Sequence, residues 1–482
     1  MKDTIKCHLR TLGPIHLGCD EVYEPLGFVL DEQRGKLIAF DPWWFFQQIG
    51  EVDKKEFARI CQQGTIASII QLYQFIRNQF IQHPKVLGRI VDVCPGLVER
   101  YRQTLALPLR DEKKLQQELN NFIIARTSFL AHDERPYIPG SSVKGALRTA
   151  YLNHLAQERK IPTPRGKRAA RELEQILLDG GSFATDPFRM LKVSDFLPIG
   201  EVRTRIVFAV NQKKKPSKFQ ARGPSQIMEV IPSGTIFVGD ISLEEPLKEA
   251  GISRPLRRQT LIASAESFFR GEKSRENNEM LDVGIKSDHL LEIGEGFLLR
   301  IGRHSGAESV TIEGHRLIRI MKGKNENPDF LDHATTFWLA AEEAKSSHPD
   351  QLKPFGWAIV EELTNEQENH YREMESEWRH HRGELTIPPG EAELGSGSVE
   401  VKPEKSPQWV APEKIWGDAT LIWSPGNQLL TAAYQNQKAT VPGKELVPET
   451  LHKPLFVKRK SVTATVTVQA IGNAFRIVKI EH

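Results

Sequence analysis

Lys144 and Arg148 stand four residues apart in the string "IPGSSVKGALRTAYLNHL". In a helix that spacing places both cations on one face. Pro139 and Gly140 end a strand, and the hydroxyl of Ser141 or Ser142 can cap the helix that follows by accepting a first-turn N–H. Val143, Leu147, Ala150, Tyr151 and Leu155 form the buried stripe. The two cations therefore lie on a neighbouring exposed face, beside unpaired amides and the positive end of the helix dipole, which is an arrangement for binding an anion. Gly145 costs such a helix roughly 1 kcal/mol relative to alanine. Together with Gly140 it removes side chains that would hold a phosphate, or a neighbouring backbone, at a distance. Tight packing of the helix on a strand would account for the glycine equally well. A nucleotide-binding P-loop is excluded, because no GxxxxGK[ST] string occurs.

A second glycine-rich segment, "RIGRHSGAES", places Gly302 and Gly306 around Arg303 and His304 between two strand-like runs. Such a loop can offer bare amides and a guanidinium to a phosphodiester, or it can be a plain turn. Arg203, Arg205, Lys213, Lys214, Lys215, Lys218 and Arg222 lie along a polar, proline-interrupted stretch that predicts an exposed basic finger. Cations there would add affinity that ignores base sequence and falls with salt. Cys7, Cys19, Cys61 and Cys94 form no CxxC pair, so they are expected to be buried, reduced thiols. No metal and no cofactor is expected.

The elements that must hold these groups follow from periodicity. The overall formal charge of +3 conceals a strong asymmetry: residues 135–222 carry 18 Lys or Arg against 7 Asp or Glu, and residues 361–405 carry 5 against 12. A basic segment in a nearly neutral chain implies a local anionic partner. The 482 residues exceed one ordinary core. The stretch "TIKCHLRTLGPIHLG" reads as a strand ending in a turn, and "GFVLDEQRGKLIAFD" as a hairpin. A helical block follows from about 42 to 126, then the helix beginning near Gly140. The charged helix "TNEQENHYREMESEWRHHRG" bears a narrow apolar stripe of Tyr371, Met374 and Trp378, which fits a docking face. Residues 383–410 have the composition of a flexible linker. Residues 411–482 read as a small β-rich domain of about five strands; Trp416 and Trp423 in it, and Trp409 just before it, suit packing better than base stacking. Neither a membrane span nor a signal-peptide profile is visible, so a cytoplasmic location is expected.

Taken together, "TLGPIHLGCDEVYEPLGFVLDE", "YIPGSSVKGALRTAYL", "LLRIGRHSG" and "FGWAIVEEL" resemble the RAMP superfamily of CRISPR systems. The likeness is nearest to the subunits that cap one end of type III-A (Csm) effector complexes, the fifth Csm protein, and it covers roughly residues 1–370. It implies an α+β fold of two ferredoxin-like (RRM-type) modules, placed at 1–250 and 251–382. The first would carry the helical insertion at 42–126 and the finger at 203–224, and the second would hold the glycine-rich loop and a trailing helix. The implied role is non-catalytic: binding the 3′ part of crRNA, ending the stack of backbone RAMP subunits, meeting target RNA indirectly, and supporting 3′ maturation by host nucleases. On that likeness Gly140, Ser141, Ser142, Lys144, Gly145 and Arg148 meet the RNA backbone. Gly302, Arg303 and Gly306 form the family's glycine-rich loop. His16 and Gly18 occupy a turn where processing members keep a histidine. The alternative is therefore a metal-independent endoribonuclease with His16 as general base.

Overall fold

The computed structural model describes residues 2–82, 88–180, 182–218, 221, 223–286, 296–321, 326–345, 348–385, 413–424, 429–435, 437–443, 446–457, 461–471 and 474–481. The chain forms two compact units, Met1–Pro389 and Gly390–His482.

Alternation along Lys2–Thr11 turns Ile5, Cys7 and Leu9 into one core and makes this strand the centre of the first sheet. It pairs antiparallel with Ile236–Glu244 on one side and with Trp357–Glu362 on the other. Phe297–Arg300 lies outside Trp357–Glu362, and Leu191–Val193 outside Ile236–Glu244. Two helices, Gly140–Arg159 and Arg258–Asp282, pack side by side and bury Val143, Leu147, Ala150, Leu261, Ala265 and Phe269 in the core of this sheet. The longer helix changes character midway. Its first half is apolar inward, but its second half buries Glu272 and Glu276. Glu276 accepts from Arg300 at 2.5 Å and from the Trp357 indole N–H at 2.7 Å, so the buried charges are paired.

The second sheet runs Gly18–Val22, Ile124–Thr127, Gln226–Val230, Arg205–Lys213, Arg89–Val93, Lys36–Ala39, Phe28–Asp31. Thr336–Ala341 also pairs with Arg205–Lys213. The hairpin read around "DEQRG" is present, with Leu30 opposite Leu37. The block from 42 to 126 supplies helices such as Ile66–Gln82 and Pro95–Leu105, which cover this sheet. It is not wholly helical, because Arg89–Val93 passes through it as a strand. Both sheets draw strands from either side of residue 250, so the expected module boundary falls inside each of them.

The charged helix, Asn365–Leu385, docks on the first unit through the expected stripe. The Tyr371 hydroxyl lies 3.1 Å from His8 Nδ1, and Trp378 stacks under the Arg135 guanidinium at 3.5 Å. Arg135 also holds Glu375 through two bonds of 2.8 and 2.9 Å. The expected linker lies almost wholly outside the described residues. Two thiols meet the expectation of burial, Cys7 and Cys94, each pushed by burial up to about 12. Cys61 is exposed, because its helix, Glu51–Gln63, buries little besides Ile60.

The second unit is a closed barrel of Glu413–Ser424, Leu429–Tyr434, Gln437–Pro442, Val462–Ile471 and Ala474–Glu481. Its first strand pairs with Leu429–Tyr434 and with Val462–Ile471, and it kinks between Trp416 and Ala419, where Asp418 takes φ 57°. Trp416 is 3 % exposed and packs against Tyr434 and Phe475, so it belongs to the core. Trp423 meets Phe456 edge-on, and Trp409 lies outside the described residues.

Candidate nucleic-acid interface

The three sequence motifs lie in the first unit, each fixed by short backbone contacts. The helix Gly140–Arg159 begins hard against the strand before Phe196: a Cβ on Gly140 would lie 2.5 Å from the Ser194 carbonyl oxygen. Packing accounts for this glycine. The N-cap is Pro139, and the Gly140 N–H donates to Asp195 Oδ1 at 2.8 Å. The serine caps expected at 141 and 142 are therefore replaced by a carboxylate from 55 residues further on. Gly145 differs from Gly140. It is exposed, and a Cβ there would meet nothing within 4 Å. No packing inside the protein explains its cost, so the open surface over Ser141 and Gly145 stays available to an outside backbone.

The two cations of this helix are less free than their spacing suggests. Lys144 Nζ donates to the Leu191 carbonyl at 2.7 Å, and burial together with Lys192 lowers its pKa. Arg148 is held by Glu174 at 2.7 Å and Asp186 at 2.9 Å. Both carboxylates come from sequence that the helical spacing does not reveal, and they neutralise the guanidinium locally. The expectation of two uncommitted cations is corrected accordingly.

The turn at His16 and Gly18 and the loop at 302–306, nearly 300 residues apart in sequence, form one structure. The Arg303 N–H donates to the His16 carbonyl at 2.8 Å. Gly302 has φ +84°, and a Cβ there would lie 2.5 Å from the same oxygen, so only glycine closes this joint. Ser305 Oγ donates to Gly302 O at 2.6 Å and stiffens the loop, while Gly306 (φ +79°) turns it past Arg300. His304 stacks on Trp338 with centroids 4.8 Å apart. Gly18 and the Arg303 side chain are exposed at the rim of this joint.

His16 itself is 0 % exposed. Its Nδ1 donates to the Glu229 carbonyl at 2.7 Å, which leaves Nε2 the unprotonated nitrogen, buried and without a hydrogen-bond partner. Burial, reinforced by Arg303, lowers its pKa. A general base must come within hydrogen-bond reach of the proton it takes, and this imidazole is sealed from solvent. It anchors the turn instead. Glu229, which sequence reasoning passed over, is the hub beneath it. Its side chain accepts from Arg89, Thr204 and the Thr127 N–H while its backbone orients His16. The only sequence signal was a lone acid inside the apolar run "QIMEVI".

The basic finger is shorter than expected. Arg205–Lys213 is a central strand, and Arg205 pairs with Glu342 at 2.5 Å. Lys214 is 7 % exposed and sits between Glu279 and Glu308, so it is a core cation. Arg203 pairs with Glu201 at 2.6 Å, and Lys213 with Ser217 Oγ at 2.9 Å. Lys215 and Lys218 are exposed on the loop that follows, and Arg222 lies outside the described residues. Among the described residues no group of three His, Cys, Asp or Glu could hold a metal ion. No helix among them is long and apolar enough to cross a membrane.

Comparison with known proteins places this chain in a family. Over a 221-residue match the chain is 26 % identical to the CRISPR system protein Csm5 of Methanocaldococcus jannaschii, covering 44 % of this chain and 47 % of that protein. It is 25 % identical to Csm5 of Streptococcus thermophilus over 233 residues, covering 45 % of this chain and 57 % of that protein. The chain thus spans about half the length of the curated relatives it matches. Among solved structures it is similar to a chain of a Csm–crRNA–target RNA ternary complex of a type III-A CRISPR-Cas system (18 % identity, TM-score 0.48, 74 % of this chain and 100 % of that one). It is also similar to Csm5 of T. onnurineus (18 % identity, TM-score 0.47, 73 % and 99 %). The model of the RAMP superfamily matches residues 8–279, a stretch that holds the His16 turn and the helix at Gly140, and the chain belongs to that superfamily.

Proposed function

We propose that this chain is a non-catalytic RNA-binding subunit of a type III-A CRISPR (Csm) effector complex. It holds the 3′ part of crRNA, caps the filament of backbone RAMP subunits, meets target RNA indirectly and leaves 3′ trimming to host nucleases. Membership of the superfamily and the likeness to proteins named Csm5 support this reading. So does the path of the first sheet: Lys2–Thr11, the helix Gly140–Arg159, Leu191–Val193, Ile236–Glu244, the helix Arg258–Asp282 and Trp357–Glu362 follow the strand–helix–strand–strand–helix–strand order of one ferredoxin-like module, to which Phe297–Arg300 and the short Leu197–Pro198 are added.

The observation that carries the reading is the joint between the His16 turn and the Gly302 loop. It places a positive-φ glycine at a close backbone approach that leaves Gly18 and Arg303 at an open rim. A guide of arbitrary sequence must be gripped by its phosphates, and an exposed guanidinium beside a position without a side chain, Gly18, does that without reading bases. Titrating fluorescein-labelled repeat-derived RNA against the full chain tests the proposal. Arg303→Ala should weaken binding several-fold and flatten its salt dependence by roughly one unit of log–log slope, for the one phosphate no longer neutralised. Unchanged affinity in the folded variant would refute the assignment.

A further inference from the structure

The five strands of the C-terminal barrel close in the order first, second, third, fifth, fourth. The third and fifth run parallel, and the short helix Glu449–His452 lies between the third and fourth. That is the strand order of the OB-fold, in which the face of the second and third strands receives oligonucleotides. Topology alone assigns no ligand, so the chemistry of the face decides.

Register fixes which residues share it. Ile422 pairs with Thr431, Thr431 with Thr440, and Thr440 with Arg476, making one row across four strands. Thr420, Ala433 and Lys438 make the adjacent row. The alternate positions Leu421, Leu430, Ala432, Ala439 and Val441 are buried, so both rows face outward. Across these four strands the rows hold two exposed cations, small hydroxyl and methyl groups, one exposed isoleucine, and no Asp or Glu; past Arg476 the first row continues through Gln469 to Glu413 on the first strand. Asp418 sits in the kink of the first strand, and Glu481 is taken by Lys479 at 2.6 Å. Residues 411–482 as a whole carry nine Lys or Arg against five Asp or Glu.

We infer that this face is a second nucleic-acid site, taking a single-stranded RNA segment. Lys438 and Arg476 pair with its phosphates, and bases lie over the low shelf of Ile422, Thr431 and Thr440. A protein partner suits the face less well, because a protein interface core needs several large apolar or aromatic groups and this face offers only Ile422. The inference does not depend on the role proposed for the first unit.

The test uses the full chain and a single-stranded oligouridylate of about 15 nucleotides, long enough for one barrel, bearing 4-thiouridine. Photo-cross-linked peptides are mapped by mass spectrometry. Cross-links should appear within 429–442 and 474–481. They should fall at least fivefold in Lys438→Glu with Arg476→Glu, and persist in Arg303→Ala. Should the charge reversal disturb folding, judged by thermal melting, Lys438→Gln with Arg476→Gln should still weaken them. Cross-links confined to the first unit, barrel cross-links indifferent to both double variants, or equal competition by duplex RNA would each overturn the inference. So would protection of Lys438 from acetylation by a co-purifying protein in nuclease-treated samples but not by the oligouridylate.

Discussion

Gly140, Gly145 and Gly302 are the same residue type in three different physical situations, and each makes its own prediction. Gly145→Ala adds a methyl where nothing stands within 4 Å, and it relieves the backbone cost of glycine. Thermal or urea denaturation should therefore show a gain of about 0.5–1 kcal/mol, while RNA affinity should fall several-fold. A variant equally stable or less stable would remove the argument that this glycine serves a ligand. Gly302→Ala should instead destabilise strongly, since a methyl would strike His16 O at 2.5 Å from a backbone at φ +84°. The histidines of the same joint make acid sensitivity a second residue-scale outcome. Burial lowers His304 to about 4 and also depresses His16, against an unfolded value near 6.5. The unfolded chain then binds more protons between those values, so their contribution is complete above about pH 6.5 and fades as pH falls towards 4. Melting temperature followed from pH 7 to 5 should decline, and His304→Asn, which tolerates positive φ, should flatten the decline. Below about pH 4.5 a further loss is expected from Glu308, held at about 2 by Lys214 and Arg275 despite its burial.

At the scale of elements, much was legible because period and punctuation are local. The strand Lys2–Thr11, the hairpin around residues 32–35, the helix at Gly140 and the docking stripe of Tyr371, Met374 and Trp378 all follow from spacing. Hidden were the interactions between residues far apart in the chain. Nothing near Arg148 announces Glu174 and Asp186, and nothing near Lys214 announces Glu308, so cations that read as free are in fact committed. Asp195 capping Gly140 and Glu229 supporting His16 escaped for the same reason. Short strands inside a helical neighbourhood, such as Arg89–Val93, are ambiguous until a sheet receives them. The docked helix gives an element-scale test. Glu375→Ala removes two charge-assisted bonds to Arg135 and one to the Gly200 N–H, which should cost about 1.5–3 kcal/mol. Limited proteolysis should cut Asn365–Leu385 earlier in that variant. Unaltered cleavage would mean that the aromatic contacts and the Lys6–Glu368 pair hold the helix without Glu375.

The molecule as a whole consists of two units with separate cores, so calorimetry should resolve two unfolding transitions. Trp416→Ala empties the barrel core, and at roughly 3–5 kcal/mol it should move only one of them. Concerted movement of both would show that the units unfold together. The first unit has the opposite organisation, for its opening strand Lys2–Thr11 finds partners only at Ile236–Glu244 and Trp357–Glu362. During synthesis that segment leaves the ribosome long before either partner exists, and its apolar side has nothing to lie against. Messages interrupted anywhere before codon 362 should accordingly give chains that clump or are destroyed by quality control, and not smaller working versions. For the cell that makes it, this portion of the gene product is an all-or-nothing investment.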